Sequence, residues 1–520
     1  MKLKPLFLSL AATGLSAAAF TAAASTPAFV QYSSPKTMGT NAGEPSVGVV
    51  WNPGPTLQHD TVNVGGAILF QSGQNTLRVS LDDSTSPATA TWEDVSTSLV
   101  RQFVLSDPIG FVDEETGRVF SGDLIGGEGQ SFMAFSDDAG GTYTPSEGGP
   151  PGGSPDHETI GSGPYAAPLA PGPVYPRAVY YCGQAIATNF CSRSDDGGLV
   201  FGPQIPTVAP PDCEPAGAQN GHVKVGPDGS VYLPQGKCPN AALLPSVAAT
   251  SISDDNGVTW HFSQVPNSTS NALDPSIAID AGNNLYLTWL DDSNVPHVAT
   301  SHDHGATWVN DTKPGDAFGI KNANFVISTA GDAGRAAIGF VGSATPGDPN
   351  VMTSYTGVWH MYIAITYDAG ATWTTVDATP DDPVQVGSVC TSGTTCGADR
   401  NLLDFNDMHI DKQGRIIVGF ADGCLPPTCT SATALKRPPY NTSRAARASI
   451  LRQVAGKTLL AAYDSTVGKS TATSGNTTVA DSTDPVPAAA GALPAALVMP
   501  FAALALLRRR RLSAGESLEK

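Results

Sequence analysis

The sequence predicts an all-β protein: a β-propeller of four-stranded blades, seven favoured and six the alternative, followed by a flexible stalk and a C-terminal membrane helix. Three observations predict it. The 520 residues include 55 Gly and 42 Pro but only 14% charged residues, and Val, Thr and Ser are plentiful where Glu is scarce. Such a composition disfavours helical bundles and coiled coils and suits short strands joined by turns. The second observation is a repeat, Ser/Thr-x-Asp-x-Gly-x-Thr-Trp. The third is a stretch ahead of each repeat in which a polar start, an apolar strand, a Gly/Asp/Asn turn and a second apolar strand follow one another.

The repeat is unbroken at Ser253-x-Asp255-x-Gly257-x-Thr259-Trp260, at Ser301-x-Asp303-x-Gly305-x-Thr307-Trp308 and at Thr366-x-Asp368-x-Gly370-x-Thr372-Trp373. Ser136-x-Asp138-x-Gly140-x-Thr142-Tyr143 replaces Trp by Tyr, and Ser194-x-Asp196-x-Gly198-x-Val200-Phe201 is degenerate. A sixth copy is split, with Ser80-x-Asp82 separated by an insertion from Thr91-Trp92. Successive Asp positions from 138 to 368 lie 48 to 65 residues apart, the length of a four-stranded unit with variable loops. Each copy reads as a hairpin turn. Ser and Asp bond local backbone groups, Gly supplies a positive φ, and the aromatic ring is free to pack between sheets.

These repeats resemble the Asp-box, or BNR repeat, of the sialidase superfamily, and the resemblance runs from about residue 40 to 460. It implies a propeller, with the boxes on the face away from the active site and therefore structural. Seven strand pairs start near Glu44, Asp107, Asp156, Gly221, Asp274, Asn322 and Asn406, one more than the six blades of family sialidases. The pair from Asp274 to Trp289 shows the pattern best. The last, with Asp411 to Phe420, is followed by Ala448–Val454 and no box.

Alignment of the seven strand starts brings polar residues to equivalent places: Glu44, Asp107, the trio Asp156, His157 and Glu158, then His222, Asp274, Asn324 and Asp407. At the mouth of a propeller channel these nine would form an acidic ring able to hold a hydroxylated ligand or a hard cation. No cofactor is required, and calcium is the cation such a ring would take. Asp and Asn also start strands simply by bonding backbone donors. That second reading does not account for the trio or for His222.

Sialidase catalysis, by the resemblance, needs three arginines on a substrate carboxylate, a Tyr nucleophile with a Glu partner, and an acid Asp. No Arg-Ile-Pro tripeptide occurs, and Pro176-Arg177-Ala178 is the nearest analogue. No Glu lies between Glu214 and Glu516, and Arg335, Arg400 and Arg415 are the only arginines from 194 to 436. Typical sialidase chemistry is therefore not expected. A glycosidase using paired carboxylates and a non-catalytic binding platform both remain open.

Both ends read as addresses. Lys2, Lys4, the apolar run Leu6–Phe20 and Ala22-Ala23-Ala24 form a secretory signal over residues 1–24. Residues 465–487 are a Ser/Thr/Ala-rich stalk. Residues 488–507 carry no charge and are long enough to span a bilayer core, and residues 508–520 open with Arg508–Arg511 as a cytoplasmic tail. The expected location is outside the cell, tethered to its surface or released by tail processing. Export gives the eight cysteines a role as four disulfides, Cys182/Cys191, Cys213/Cys238, Cys390/Cys396 and Cys424/Cys429. The net charge of −19 excludes nucleic acid as a partner. The expected partners are an extracellular glycan or protein ligand and, through the tail, a membrane; a monomer is expected.

Overall fold

The computed structural model describes residues 26–52, 66–72, 75–82, 88–100, 107–125, 130–146, 156–167, 173–185, 188–209, 219–238, 246–271, 273–393, 395–396, 400–424, 429 and 446–464. Among them, seven antiparallel sheets follow one another along the chain. Their innermost strands are Ser46–Val50, Pro108–Asp113, Asp156–Gly163, the interrupted pair Gln219–Asn220 and Lys224–Val225, Ser276–Ile279, Asn322–Ala330 and Asp407–Ile410. Each packs on the next and the last packs on the first, so the sheets stand as blades around a central channel.

Within a blade, burial falls from the inside outwards. In blade five the second strand, Leu285–Leu290, is buried on both faces, whereas the outermost, Val309–Thr312, is largely exposed. The hairpin that starts this blade is set by Asp280. Its carboxylate accepts N–H bonds from Gly282 at 2.8 Å and Asn284 at 3.0 Å, and Tyr286 donates its hydroxyl at 2.8 Å. A short polar side chain thus closes the turn while the alternating aliphatic residues face neighbouring blades.

Blade seven closes the ring with strands from both ends of the fold. Asp407–Ile410, Ile416–Asp422 and Arg447–Ala455 supply three strands, and Ala28–Ser33 pairs antiparallel with the last as the outermost. The sheet therefore draws on residues ahead of position 40, where the repeat-based boundary began. Gln31 on this closing strand is buried, and its amide nitrogen donates to Asp382 at 3.2 Å and Asp422 at 3.1 Å.

The repeated turns have one geometry. In five copies the leading Ser or Thr hydroxyl donates to the Asp at 2.7–2.9 Å and accepts the Gly N–H at 2.8–3.0 Å. The aromatic residues then reach the preceding blade. Trp373 stands edge-on to Tyr286, with centroids 6.1 Å apart, Trp308 donates Nε1–H to Ser263 at 2.8 Å, and Trp260 packs on the cluster containing Tyr180. In the split copy, Ser80 faces Thr91 and Asp82 faces Thr89 across the hairpin, and residues 83–87 lie outside the described set.

Cys182–Cys191, Cys390–Cys396 and Cys424–Cys429 are disulfides. Cys238 is also oxidised, and its expected partner Cys213 lies outside the described residues. Among the described residues no helix is long and apolar enough to cross a membrane. The expected membrane helix at 488–507 lies outside those residues. The signal, stalk, hydrophobic segment and basic tail all fall outside the described residues.

Candidate functional site at the upper mouth of the channel

All seven inner strands begin at the same end of the channel, here the upper mouth, and descend towards the end that carries the repeated turns. Neighbouring starts are tied at matching levels: Val47 N–H donates to Asp407 at 3.0 Å, and Gly110 N–H donates to Ser46 Oγ at 3.0 Å. The upper mouth therefore collects the polar residues that precede each inner strand.

The backbone there departs from regularity. Thirteen non-glycine residues among those described have positive φ. Six are Asn, which tolerates that region. Ala139, His304 and Ala369 hold the fourth position of the repeated turns. The remaining four, Glu44, His157, Phe325 and Leu403, sit at the upper mouth, with φ of 53°, 51°, 56° and 59°. His157 and Phe325 fall where the register of their inner strands slips, between Asp156 and Thr159 and between Asn324 and Ile327. Such bulges re-aim side chains, and each left-handed non-glycine residue costs about 1–3 kcal/mol.

The bulge directs His157 across to Asp274, whose carboxylate lies 2.9 Å from Nδ1, while the Gln219 side-chain amide lies 2.6 Å from Nε2. Burial would discharge this imidazole, but Asp274, aided by Asp156 and Asp404, outweighs it and pushes the pKa up to about 10. Glu158 turns inward and is 4% exposed, and neither carboxyl oxygen has a hydrogen-bonding partner in any other described residue. Burial first, then Asp107 and Asp156, push its carboxyl well above the usual range, against its own N–H and His157. Glu44 is 3% exposed, its Oε2 has no hydrogen-bonding partner among the described residues, and burial, Asp107 and Asp404 raise its pKa well above the usual value. Asp107 is half-buried; burial, Asp156 and Asp404 raise it too.

Three residues near these acids went unread as site residues in the sequence. Arg400 forms a two-pronged ion pair with Asp404, with one bond at 2.7 Å, and both act electrostatically on Glu44 and Asp107. Phe405, one residue on, stands edge-on to His222 with centroids 4.6 Å apart. The segment that joins blades six and seven thus reaches the starts of blades one, two and four. Leu403 is its anchor, filling the space that a Cβ at Gly43 would need. No spacing in the sequence announces this crossing; the scarcity of arginine at Arg400 was the one available signal.

The remaining strand starts divide by role. His222 occupies the break in the inner strand of blade four, and burial lowers its pKa despite Asp407 and Asp274. Asp407 is taken up by backbone, accepting the N–H groups of Val47 at 3.0 Å and Met408 at 2.8 Å. Asn324 is 2% exposed, and its amide nitrogen lacks a partner among the described residues. Asp156 is exposed and bonds the His157 N–H at 3.1 Å. None of the nine lines the cavity of about 140 Å3 further down the channel, whose walls include Gly161, Ser162, Val223, Ile277, Ser328 and Met408.

No protein-family profile matches the chain, and no curated protein matches it. Solved structures do match. A sialidase described as Hadza microbial shares 13% identity, with 74% of this chain and 72% of that one covered and a TM-score of 0.37. An enzyme from Niastella koreensis described as GH74 shares 15% identity over 76% of this chain and 55% of that chain, with a TM-score of 0.41. A lectin from Aleuria aurantia, solved as a mutant with α-methyl-L-fucoside, shares 11% identity over 71% and 96% of the two chains, with a TM-score of 0.36. The chain is a seven-bladed β-propeller.

Arg177, Arg335, Arg400 and Arg415 do not converge. Arg177 pairs with Asp113 at 2.8 Å and Glu115 at 2.7 Å, at the turn end of blade two. Arg335 pairs with Asp464, and Arg415 bonds Gln413. Arg400 is left as the one arginine of the four at the upper mouth, so these four build no carboxylate clamp. Among the described residues no group of three His, Cys, Asp or Glu side chains is placed to hold a metal ion.

Proposed function

We propose that this is an exported propeller that recognises an extracellular glycan at its upper mouth. One observation carries the reading. Backbone strain that turns do not explain gathers at one end of the channel, together with three buried carboxyl oxygens of Glu44 and Glu158 that no other described residue satisfies. Strain and unsatisfied groups persist in a fold when they serve a ligand. The open members, Asp107, Asp156 and the Arg400–Asp404 pair, supply acceptors and planar donors suited to sugar hydroxyls. The half-buried Phe405 ring offers an apolar face beside them. The oxidised cysteines and the signal-like N-terminus support export, and the apolar segment followed by arginines supports tethering.

A second reading is hydrolysis by paired carboxylates. The observation in its favour is Asp107, a half-buried acid whose pKa is raised while the exposed Asp156 lies close enough to act on it. That arrangement would let Asp107 donate a proton to a glycosidic oxygen and Asp156 act as the charged partner. A glycan array read for binding and for product release tests both readings. Binding that Asp156→Asn weakens at least tenfold (about 1.4 kcal/mol) with unchanged melting supports recognition; release of reducing ends that Asp107→Asn abolishes supports hydrolysis. An array that stays blank for the folded protein contradicts the proposal.

A further inference from the structure

We propose that the upper mouth selects a sugar bearing a free ammonium group, an amino sugar that is not N-acetylated; this rests on the glycan reading above and narrows it. The cations beside the acids are already matched. Arg400 donates to Asp404 from both terminal guanidinium nitrogens, and Asp274 holds His157 at 2.9 Å. Glu44, Asp107, Asp156 and Glu158 then form an acidic surplus with no counter-ion of their own among the described residues. Two of the four are nine-tenths buried or more, and between them three carboxyl oxygens meet no donor from another described residue. Buried acceptors in that state point to a ligand that brings donors.

The chemistry of the donor follows from charge. A hydroxyl brings one donor and no charge; an ammonium brings three donors and a positive charge. An acidic sugar would add another negative charge to a cluster already crowded with its own sign, and Arg400, the arginine found beside it among the described residues, is bound to Asp404. A cation at the same place relieves the crowding. Burial and mutual repulsion hold the Glu44, Asp107 and Glu158 carboxyls in the raised range. An arriving ammonium favours their ionised forms, so binding should expel protons. The half-buried Asp107 and the exposed Asp156 are where the ammonium would first make contact.

Calorimetric titration of the full chain at about pH 6, where sugar amines are still protonated, tests the inference. The probes are tetrasaccharides of glucosamine, of N-acetylglucosamine and of glucose, each run in two buffers of different ionisation enthalpy. The glucosamine probe should bind about tenfold tighter than the other two, with net proton release, and the gap should shrink as salt is added. Asp107→Asn should reduce the preference to about threefold or less, and Asp156→Asn gives the same readout if the first variant fails to fold. Equal or tighter binding of the uncharged probes, or of any sugar without an amine on an array, overturns this inference and leaves glycan recognition standing. An array without any bound glycan overturns recognition itself.

Discussion

At the lower end of the propeller, Asp138, Asp255, Asp303 and Asp368 each accept two bonds from the Thr four residues on, one of them from its N–H at 2.7–2.9 Å. Burial opposes ionisation and is the largest single influence at Asp138, Asp255 and Asp368, but several local bonds act together against it. The local bonds win and hold these carboxyls below the usual range. At the upper mouth the same chemical group meets burial and other carboxyls, and Glu44, Asp107 and Glu158 rise instead. The difference teaches which acids stabilise and which are held at a cost. The turn acids find their partners within four residues, whereas the acids of the upper mouth have as neighbours other acids from distant blades.

The largest effect should come from breaking the lower end. Asp255→Ala removes the acceptor of four bonds and Trp260→Ala removes a ring packed on blade three, so either should cost about 1–4 kcal/mol in chemical denaturation. Ligand binding by the folded fraction should not change.

Next in size is the pH response, whose sign separates the raised buried acids from the lowered turn acids. A raised carboxyl keeps its proton in the folded state after the unfolded chain has lost it, so its contribution declines as pH rises through that interval. Asp382, pushed by burial up to about 7 and bridged to Asp422 through Gln31, sets a window from about 4 to 7. Asp422, raised by burial and by Asp382, strengthens the trend; Arg447, the Cys424 N–H and Gln31 oppose it, as His360 does at Asp382. Unfolding free energies from chemical denaturation should fall across that window by up to about 1.4 kcal/mol per pH unit for each proton retained. Asp422→Asn should flatten the slope and Glu158→Gln should lessen it. The lowered turn aspartates act oppositely. Their contribution is complete above the unfolded value near 4 and is lost as pH falls below it.

Asp407→Asn sharpens the comparison within the upper mouth. It weakens bonds to two backbone N–H groups and should cost about 1 kcal/mol while leaving glycan affinity within about threefold of wild type. The smallest effect belongs to the surface pair Arg78–Glu93, at 2.7 Å with Glu93 mostly exposed, where Glu93→Gln should change stability by no more than about 0.5 kcal/mol.

Much of the fold was legible because its signals are local. Ser253, Asp255, Gly257 and Trp260 define a turn within eight residues, and seven polar strand starts counted seven blades. The closing strand Ala28–Ser33 left no such mark, since its partner lies more than 400 residues away and its sequence carries no repeat. The site was legible as a set of positions and not as a geometry. Position alone brought His157, Glu158 and Asp274 to one mouth. The bulges that aim His157 at Asp274 and bury Glu158 depend on packing between blades, and so does the crossing of Arg400, Asp404 and Phe405. Asp407 resembled its neighbours in sequence, and only the N–H groups of Val47 and Met408 show it to be a strand start.

The most direct test of the division between the two ends is one glycan-binding titration run in parallel on Asp107→Asn and Asp255→Ala, each scaled to its folded fraction. The account predicts that Asp107→Asn loses at least tenfold in affinity (about 1.4 kcal/mol) with melting unchanged or raised, because relieving a crowded carboxylate removes repulsion. It predicts that Asp255→Ala melts earlier and binds as wild type does. Wild-type affinity in Asp107→Asn, or lost affinity in folded Asp255→Ala, would contradict it.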